Sequence, residues 1–209
     1  MIELHEVTVS VGDVVLLAPV SASVGPGDVL VVRGRNGTGK STLLRAMAGV
    51  RAPTSGTIRI GDDIVTERDR RFRRRVAAMI GLPPIAPDLT VSDHVLLVAS
   101  TWLDDALAAT ELARGVLDEL GLTPLAARFP HELSSGQTQL FALGLVLARP
   151  FDVLIIDEPE QRLDPEHIDM VIDALRIRRD NGATVVVATH NPRLAEALAD
   201  HTLRLGEAA

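Results

Sequence analysis

Apolar and polar residues alternate from the start of the chain. Ile2 and Leu4 alternate with Glu3 and His5, and Val7, Val9 and Val11 alternate with Thr8 and Ser10, a β-rich run that predicts a strand over Ile2–Val11. Two shorter β-rich runs follow, Val14–Leu17 and Val20–Val24, and a Gly25-Pro26-Gly27-Asp28 turn leads into the apolar run Val29–Arg33. From Ser41 the spacing becomes helical, with Leu43, Leu44, Ala46, Met47 and Val50 on one face. Gly49 and the Pro53-Thr54-Ser55-Gly56 turn close it.

Further along, Thr57–Ile60 reads as a strand and Val76–Ile80 as an apolar run, then the pattern turns helical from Thr90, over Val95–Ala99 and Asp105–Leu120, with Gly121 as the stop. A long helix follows Ser135. The last third alternates strand and helix: strand Val153–Ile156, helix Glu166–Arg179, strand Thr184–Ala188, helix Pro192–Ala199. Such alternation predicts a parallel sheet covered by helices. No internal repeat is evident.

Composition narrows the class. With 209 residues, 46% apolar and 23% charged, the chain has a globular make-up and fits one or two domains. Its net charge of −7 counts against a general nucleic-acid binder, so no nucleic-acid partner is expected. The absence of cysteine excludes disulfides and cysteine metal sites. Leu140–Ala148 is too short to span a bilayer, and MIELHEVTVS lacks the basic-then-apolar plan of a signal peptide. The expectation is a soluble chain whose link to any membrane runs through a partner. The Arg-rich run Arg68–Arg75 reads as a solvated surface segment or as a patch for nucleic acid or membrane, and no stacking aromatics favour the second.

Between the Val29–Arg33 strand and the following helix lies Gly34-Arg35-Asn36-Gly37-Thr38-Gly39-Lys40-Ser41. The spacing matches a phosphate-binding loop in the one context where it works, after a strand and before a helix. Glycines let successive N–H groups turn inward around phosphate, the helix adds its positive end, Lys40 reaches the β- and γ-phosphates, and the Ser41 hydroxyl ligates Mg²⁺. Val153-Leu154-Ile155-Ile156 reads as a strand buried on both faces, ending in Asp157-Glu158. Alone, an acidic pair there is a helix cap; beside a phosphate loop, Asp157 holds the metal shell and Glu158 orients or deprotonates water. Leu133-Ser134-Ser135-Gly136-Gln137 opens a helix with hydroxyls and N–H groups, which serve equally an ordinary N-cap or an anion. His190, at a strand end before Asn191-Pro192, reads alone as a turn residue.

The order GRNGTGKST, LSSGQ, VLIIDEP, LD, TH resembles the nucleotide-binding domain of ATP-binding cassette (ABC) transporters over nearly the whole chain. The resemblance implies an α/β P-loop NTPase fold: a RecA-like core with an N-terminal antiparallel β subdomain (about 1–86 and 133–209) and a small helical subdomain (about 87–132). It implies ATP hydrolysis with Mg²⁺ in a head-to-tail dimer of ATPase subunits serving separate transmembrane permease subunits, at the inner face of the cell membrane. By the same resemblance Gly34, Asn36, Gly37, Thr38, Gly39, Lys40, Ser41 and Thr42 bind the phosphates, and Ser41 and Asp157 the metal. Ser134, Gly136 and Gln137 close on the ATP of a second subunit, Asp164 belongs to the dimer-contacting loop, and Glu158 and His190 are catalytic.

Two positions depart from the family pattern. The aromatic residue that stacks on adenine falls at about Val11, and no Phe, Tyr or Trp precedes Phe72. The glutamine that normally reaches the metal falls at Pro84, and no glutamine precedes Gln137. Proline offers neither a side-chain amide nor an N–H. Smaller departures are Ser135, Leu140 and Glu160-Gln161-Arg162.

Overall fold

The computed structural model describes residues 1–65 and 70–206, so Arg68 and Asp69 of the Arg-rich run lie outside the described residues. In chain order the elements are β1 (Ile2–Val11), β2 (Val14–Val24), β3 (Val29–Gly34), α1 (Lys40–Met47), β4 (Ser55–Ile60), β5 (Asp63–Ile64), α2 (Arg70–Arg75) and β6 (Val76–Met79). Then come α3 (Val91–Trp102), α4 (Ala106–Glu119), α5 (Ser135–Leu147), β7 (Val153–Asp157), α6 (Pro165–Asp180), β8 (Thr184–Ala188), α7 (Pro192–Leu198) and β9 (His201–Leu205). Contacts divide the chain into two compact units. The first comprises Met1–Ile80, Phe151–Glu158 and the chain from Leu175; the second comprises Gly81–Pro150 and Pro159–Ala174.

The first unit contains an antiparallel sheet in the order β2-β1-β4-β5 and a parallel sheet in the order β6-β7-β8-β3-β9. The alternation of β1 changes parity within the strand: Ile2 and Leu4 are buried, then Val7 and Val9. The switch falls at Glu6, whose φ of +46° accompanies a register shift between Leu4 and Val7. An added residue flips every later side chain to the other face, which is how one strand keeps both apolar sets inward. β2 runs unbroken through Pro19, although two separate strands are predicted there. It is an edge strand, where a missing N–H costs no ladder bond.

The parallel strands read as continuous apolar runs, and the structure buries Val29–Val32, Val153–Ile156 and Thr184–Ala188. Helix α1 contacts β2 of one sheet and β3, β7 and β8 of the other. Leu43, Leu44, Ala46 and Met47 are fully buried on it. Each larger apolar side chain so placed contributes about 1.5–3 kcal/mol relative to exposure, and together they set the helix's position at the end of the phosphate loop. The described part of the Arg-rich run is helical: Phe72 is buried, while Arg71, Arg73 and Arg74 face solvent. Arg75 closes α2 with bonds to Asp152 (2.8 Å) and Asp63 (3.2 Å), and the Asp152 bond raises its guanidinium above the ordinary arginine value.

In the second unit α3 opens on a reciprocal capping box between Thr90 and Asp93. Gly144 of α5 lies so close to Val116, Leu120 and Leu122 that a Cβ there would meet them at 3.4–3.7 Å. Buried His94 donates from Nδ1 to Thr90 O (2.8 Å) and accepts at Nε2 from the Ala86 N–H (3.0 Å), its ring edge-on to Phe141. α5 is apolar on every side and buried from Gln139 to Leu147. Among the described residues no helix is long and apolar enough to cross a membrane.

Candidate functional site

The loop from Gly34 to Gly39 connects the end of β3 to the start of α1 and owes its sequence to crowding. A Cβ on Gly34 would lie 2.6 Å from Thr38 Oγ1 and 2.7 Å from the Leu205 carbonyl oxygen. Gly39 caps α1 at φ +97°, and a Cβ there would lie 2.5 Å from the Leu16 carbonyl oxygen. Only glycine combines that backbone with that approach. No side chain caps α1, so the first-turn N–H groups of Lys40, Ser41 and Thr42 are left for a ligand in front of the helix. Thr38 folds the loop inward, its N–H (3.3 Å) and hydroxyl (2.9 Å) both donating to Arg35 O. Asn36 and Gly37 lie exposed at the tip, and Ser41 and Thr42 are half-buried in the first helical turn.

Lys40 is buried and bends back over the loop. Its ammonium donates to Gly34 O (2.9 Å) and Arg35 O (3.3 Å) and lies 2.8 Å from His190 Nε2. The same His190 nitrogen is 3.3 Å from Glu158 Oε1. Lys40, Glu158 and His190, separated by up to 150 positions in sequence, therefore meet in the first unit. Glu158 sits at φ +49°, a left-handed conformation that a non-glycine residue adopts at a cost, and its N–H is tied to Ala188 O at 2.8 Å. Strain of this kind gathers at functional positions.

Asp157 ends β7 with Oδ1 buried and without a hydrogen-bond partner. A buried carboxylate oxygen without a partner is costly, and a cation resolves the cost. Among the described residues no group of three or more His, Asp or Glu gathers as an all-protein metal site. The two donors that the sequence singles out, the Asp157 carboxylate and the Ser41 hydroxyl, would suit Mg²⁺, which shares its shell with water and substrate phosphates.

The second unit carries the other predicted residues. Ser134 and Gln137 form a capping box at α5: Ser134 N–H donates to Gln137 Oε1 (2.9 Å) and Gln137 N–H to Ser134 Oγ (3.2 Å). Ser134 Oγ accepts there, which leaves its proton for a ligand. Gly136 lies against the loop before α6, where a Cβ would come 3.0 Å from Arg162 O. Asp164 caps α6, accepting at Oδ1 from the His167 N–H (3.0 Å) and contacting His167 Nδ1 at 2.7 Å. These bonds hold its carboxyl below the ordinary aspartate value, the backbone bond contributing most.

Val11 lies at the β1–β2 hairpin, 56% exposed, with Val14 at 62% and Val15 at 63% beside the turn. Pro84 is exposed in the stretch between β6 and α3. Sequence reasoning missed the carbonyls of Leu16 and Leu205, which press on the loop glycines, and missed β9 itself. The alternation of Leu203 and Leu205 is the signal that could have found that strand.

The ABC transporter family model matches residues 17–161. A probable anion import ATP-binding protein of Haloferax volcanii is 33% identical over 207 residues, covering 91% of this chain and 72% of its own length. A putative 2-aminoethylphosphonate import ATP-binding protein of Salmonella typhimurium is 35% identical over 188 residues, covering 89% of this chain. The chain spans about half, 51%, of that relative. In fold, a dimeric ATP-binding cassette in a post-hydrolysis state bound to ADP and Pi superposes with a TM-score of 0.87 at 24% identity, covering 98% of this chain and 94% of the other.

Proposed function

The chain belongs to the ABC transporter family, and from that premise we propose that it is the ATP-hydrolysing subunit of an importer whose permease is built from separate membrane chains. The observation that carries the reading is the meeting of Lys40, His190 and Glu158 at 2.8 and 3.3 Å beside an uncapped helix N-terminus. The loop N–H groups and Lys40 hold the triphosphate, and Lys40 exchanges the His190 contact for phosphate oxygens. Glu158 orients water and takes its proton as the water oxygen bonds to the γ-phosphorus and the bond to the β,γ-bridging oxygen breaks. ADP and orthophosphate leave. His190 donates to the γ-phosphate. Ser41 and Asp157 would hold Mg²⁺, which would supply charge neutralisation for the phosphates.

Ser134, Gly136 and Gln137 of one copy close on the nucleotide of a second in a head-to-tail dimer, with Asp164 near the contact. Pro84 removes the side-chain amide that the family's glutamine provides, so Ser41 and Asp157 are the only side chains assigned to the metal here. The second unit receives the permease, and the protein works at the cytoplasmic face of the membrane. The relatives' names support import as the direction.

The test is purification of the intact complex followed by Mg²⁺-dependent ATPase measurement with and without its membrane chains. Identification of permease subunits and stimulation by them is the expected result. A purified chain that neither binds ATP nor co-purifies with a membrane protein would sink the proposal.

A further inference from the structure

Arg162, in the loop between β7 and α6, is exposed and sits at φ +66°. A left-handed backbone costs an arginine free energy that glycine would not incur, because glycine has no Cβ to crowd. The turn itself asks for no side chain there: it is closed by main-chain groups, Leu163 N–H donating to Glu160 O at 3.1 Å. Among the described residues no hydrogen bond or ion pair holds the Arg162 guanidinium. The nearby Asp164 carboxylate is committed to His167 at the start of α6. Strained backbone persists where the side chain it carries has a use. For a cation that nothing in its own chain engages, that use lies in a second molecule.

The contacts of its backbone say which. Arg162 O lies against Gly136, 3.0 Å from where a Cβ would stand, and Leu163 Cδ2 lies 3.6 Å from the same point. Arg162 therefore adjoins the start of α5 within the second unit. That helix start offers the Ser134 hydroxyl and first-turn N–H groups, and Leu133–Gln137 contains no cation. Arg162 is the charged donor beside these neutral ones, and its planar fork suits phosphate oxygens. In the head-to-tail dimer proposed above, on which this inference rests, the start of α5 closes on the nucleotide of a second copy. We propose that Arg162 is a catalytic residue supplied in trans. Its guanidinium donates to γ-phosphate oxygens of the ATP held by the second copy. There it stabilises the negative charge that develops as the bond to the β,γ-bridging oxygen breaks.

The test uses Arg162→Gly in the full chain, since glycine adopts this backbone without cost. Its melting temperature should equal or exceed that of wild type, while Mg²⁺-dependent kcat falls at least tenfold. An arginine supplied in trans to a phosphoryl group is worth about 10³–10⁵ in kcat elsewhere. ATP affinity of the separate copy should not change, because the guanidinium serves the other copy's nucleotide. Mixing then separates trans from cis. In a mixed dimer of Arg162→Gly with Glu158→Gln, one site keeps Glu158 from the first copy and Arg162 from the second. The mixture should therefore hydrolyse ATP faster than either variant alone. Wild-type kcat in Arg162→Gly, or a loss that mixing does not repair, overturns the proposal and leaves the ATPase reading intact. A wild-type chain without Mg²⁺-dependent ATPase overturns both, and that measurement is made first.

Discussion

Lys40 Nζ stands 2.8 Å from His190 Nε2, and that contact assigns the imidazole its tautomer. An ammonium only donates, so Nε2 accepts and the ring proton resides on Nδ1. The same Nε2 lies 3.3 Å from Glu158 Oε1, to which it cannot donate while it accepts from Lys40. A bound triphosphate that draws the Lys40 donors away frees His190 to carry its ring proton on Nε2 and present it to phosphate. His190→Ala is therefore expected to depress turnover more than nucleotide affinity. Removing one donor aimed at developing charge costs about 10²–10³ in kcat. Steady-state ATPase beside calorimetry checks this; unchanged kcat sinks the role.

Lys40→Ala should act on binding itself. The side chain is buried, bonded to Gly34 O and Arg35 O, and held directly over the loop, so its removal takes away the point charge nearest the phosphates. ATP affinity by calorimetry should fall at least tenfold, about 1.4 kcal/mol. Affinity equal to wild type would contradict the loop's assignment.

The elements around Lys40 were legible because they obey strong local rules. The runs of β3, β7 and β8 are apolar throughout, and the glycine spacing of the loop admits few other backbones. β9 escaped because its apolar residues reduce to Leu203 and Leu205, with polar neighbours suited to a sheet edge. α2 escaped because one buried residue, Phe72, anchors an otherwise arginine-coated turn. The approach of Leu16 and Leu205 to the loop glycines is a contact between distant segments, which no local pattern encodes. The cap that Asp164 places on α6 was hidden by its assignment to the dimer-contacting loop, although Asp one residue before Pro at a helix start carries that signal too.

Glu158→Gln should retain ATP and hydrolyse it far more slowly, because the amide keeps the shape but cannot take the water's proton. General-base assistance is worth about 10²–10⁴-fold. The left-handed backbone of Glu158 accommodates Gln as well as Glu, so folding is not expected to change. An ATP-dependent dimer by size-exclusion chromatography, with single-turnover hydrolysis slowed in that range, is the expected result. Wild-type turnover would remove Glu158 from the mechanism.

Asp164 allows a pH test of the α6 cap. Its carboxyl is held below the ordinary aspartate value, first by the His167 N–H and then by the His167 side chain. A depressed folded-state pKa means the charged form stabilises the fold above the unfolded value of about 3.9 and that this contribution disappears as pH falls further. Asn keeps the capping oxygen but not the charge. The melting temperatures of wild type and Asp164→Asn should therefore differ at neutral pH and converge below about pH 3.9. A difference that persists undiminished into acid would place the effect elsewhere.

The nucleotide base is the last test, and it turns on Val11, Val14 and Val15. The β1–β2 hairpin presents these three aliphatic residues to solvent at 56, 62 and 63% exposure. Leu16 of the same strand touches the loop at Gly39, so the hairpin runs beside the phosphate site. No aromatic residue precedes Phe72 to stack on a base from this side. An aromatic–base stack is worth about 1–3 kcal/mol in nucleic-acid complexes. Its absence should weaken ATP binding and also flatten selectivity, because the phosphate and metal contacts are common to ATP and GTP. Dissociation constants for the two should differ by less than about tenfold, or about 1.4 kcal/mol. Val11→Tyr adds a ring at an exposed position where no packing is lost, and should tighten both nucleotides. Titrating each into Glu158→Gln protein suppresses turnover and measures the comparison directly. A strong preference for ATP in that protein would mean that hydrogen bonds from another segment or from a second subunit read the base.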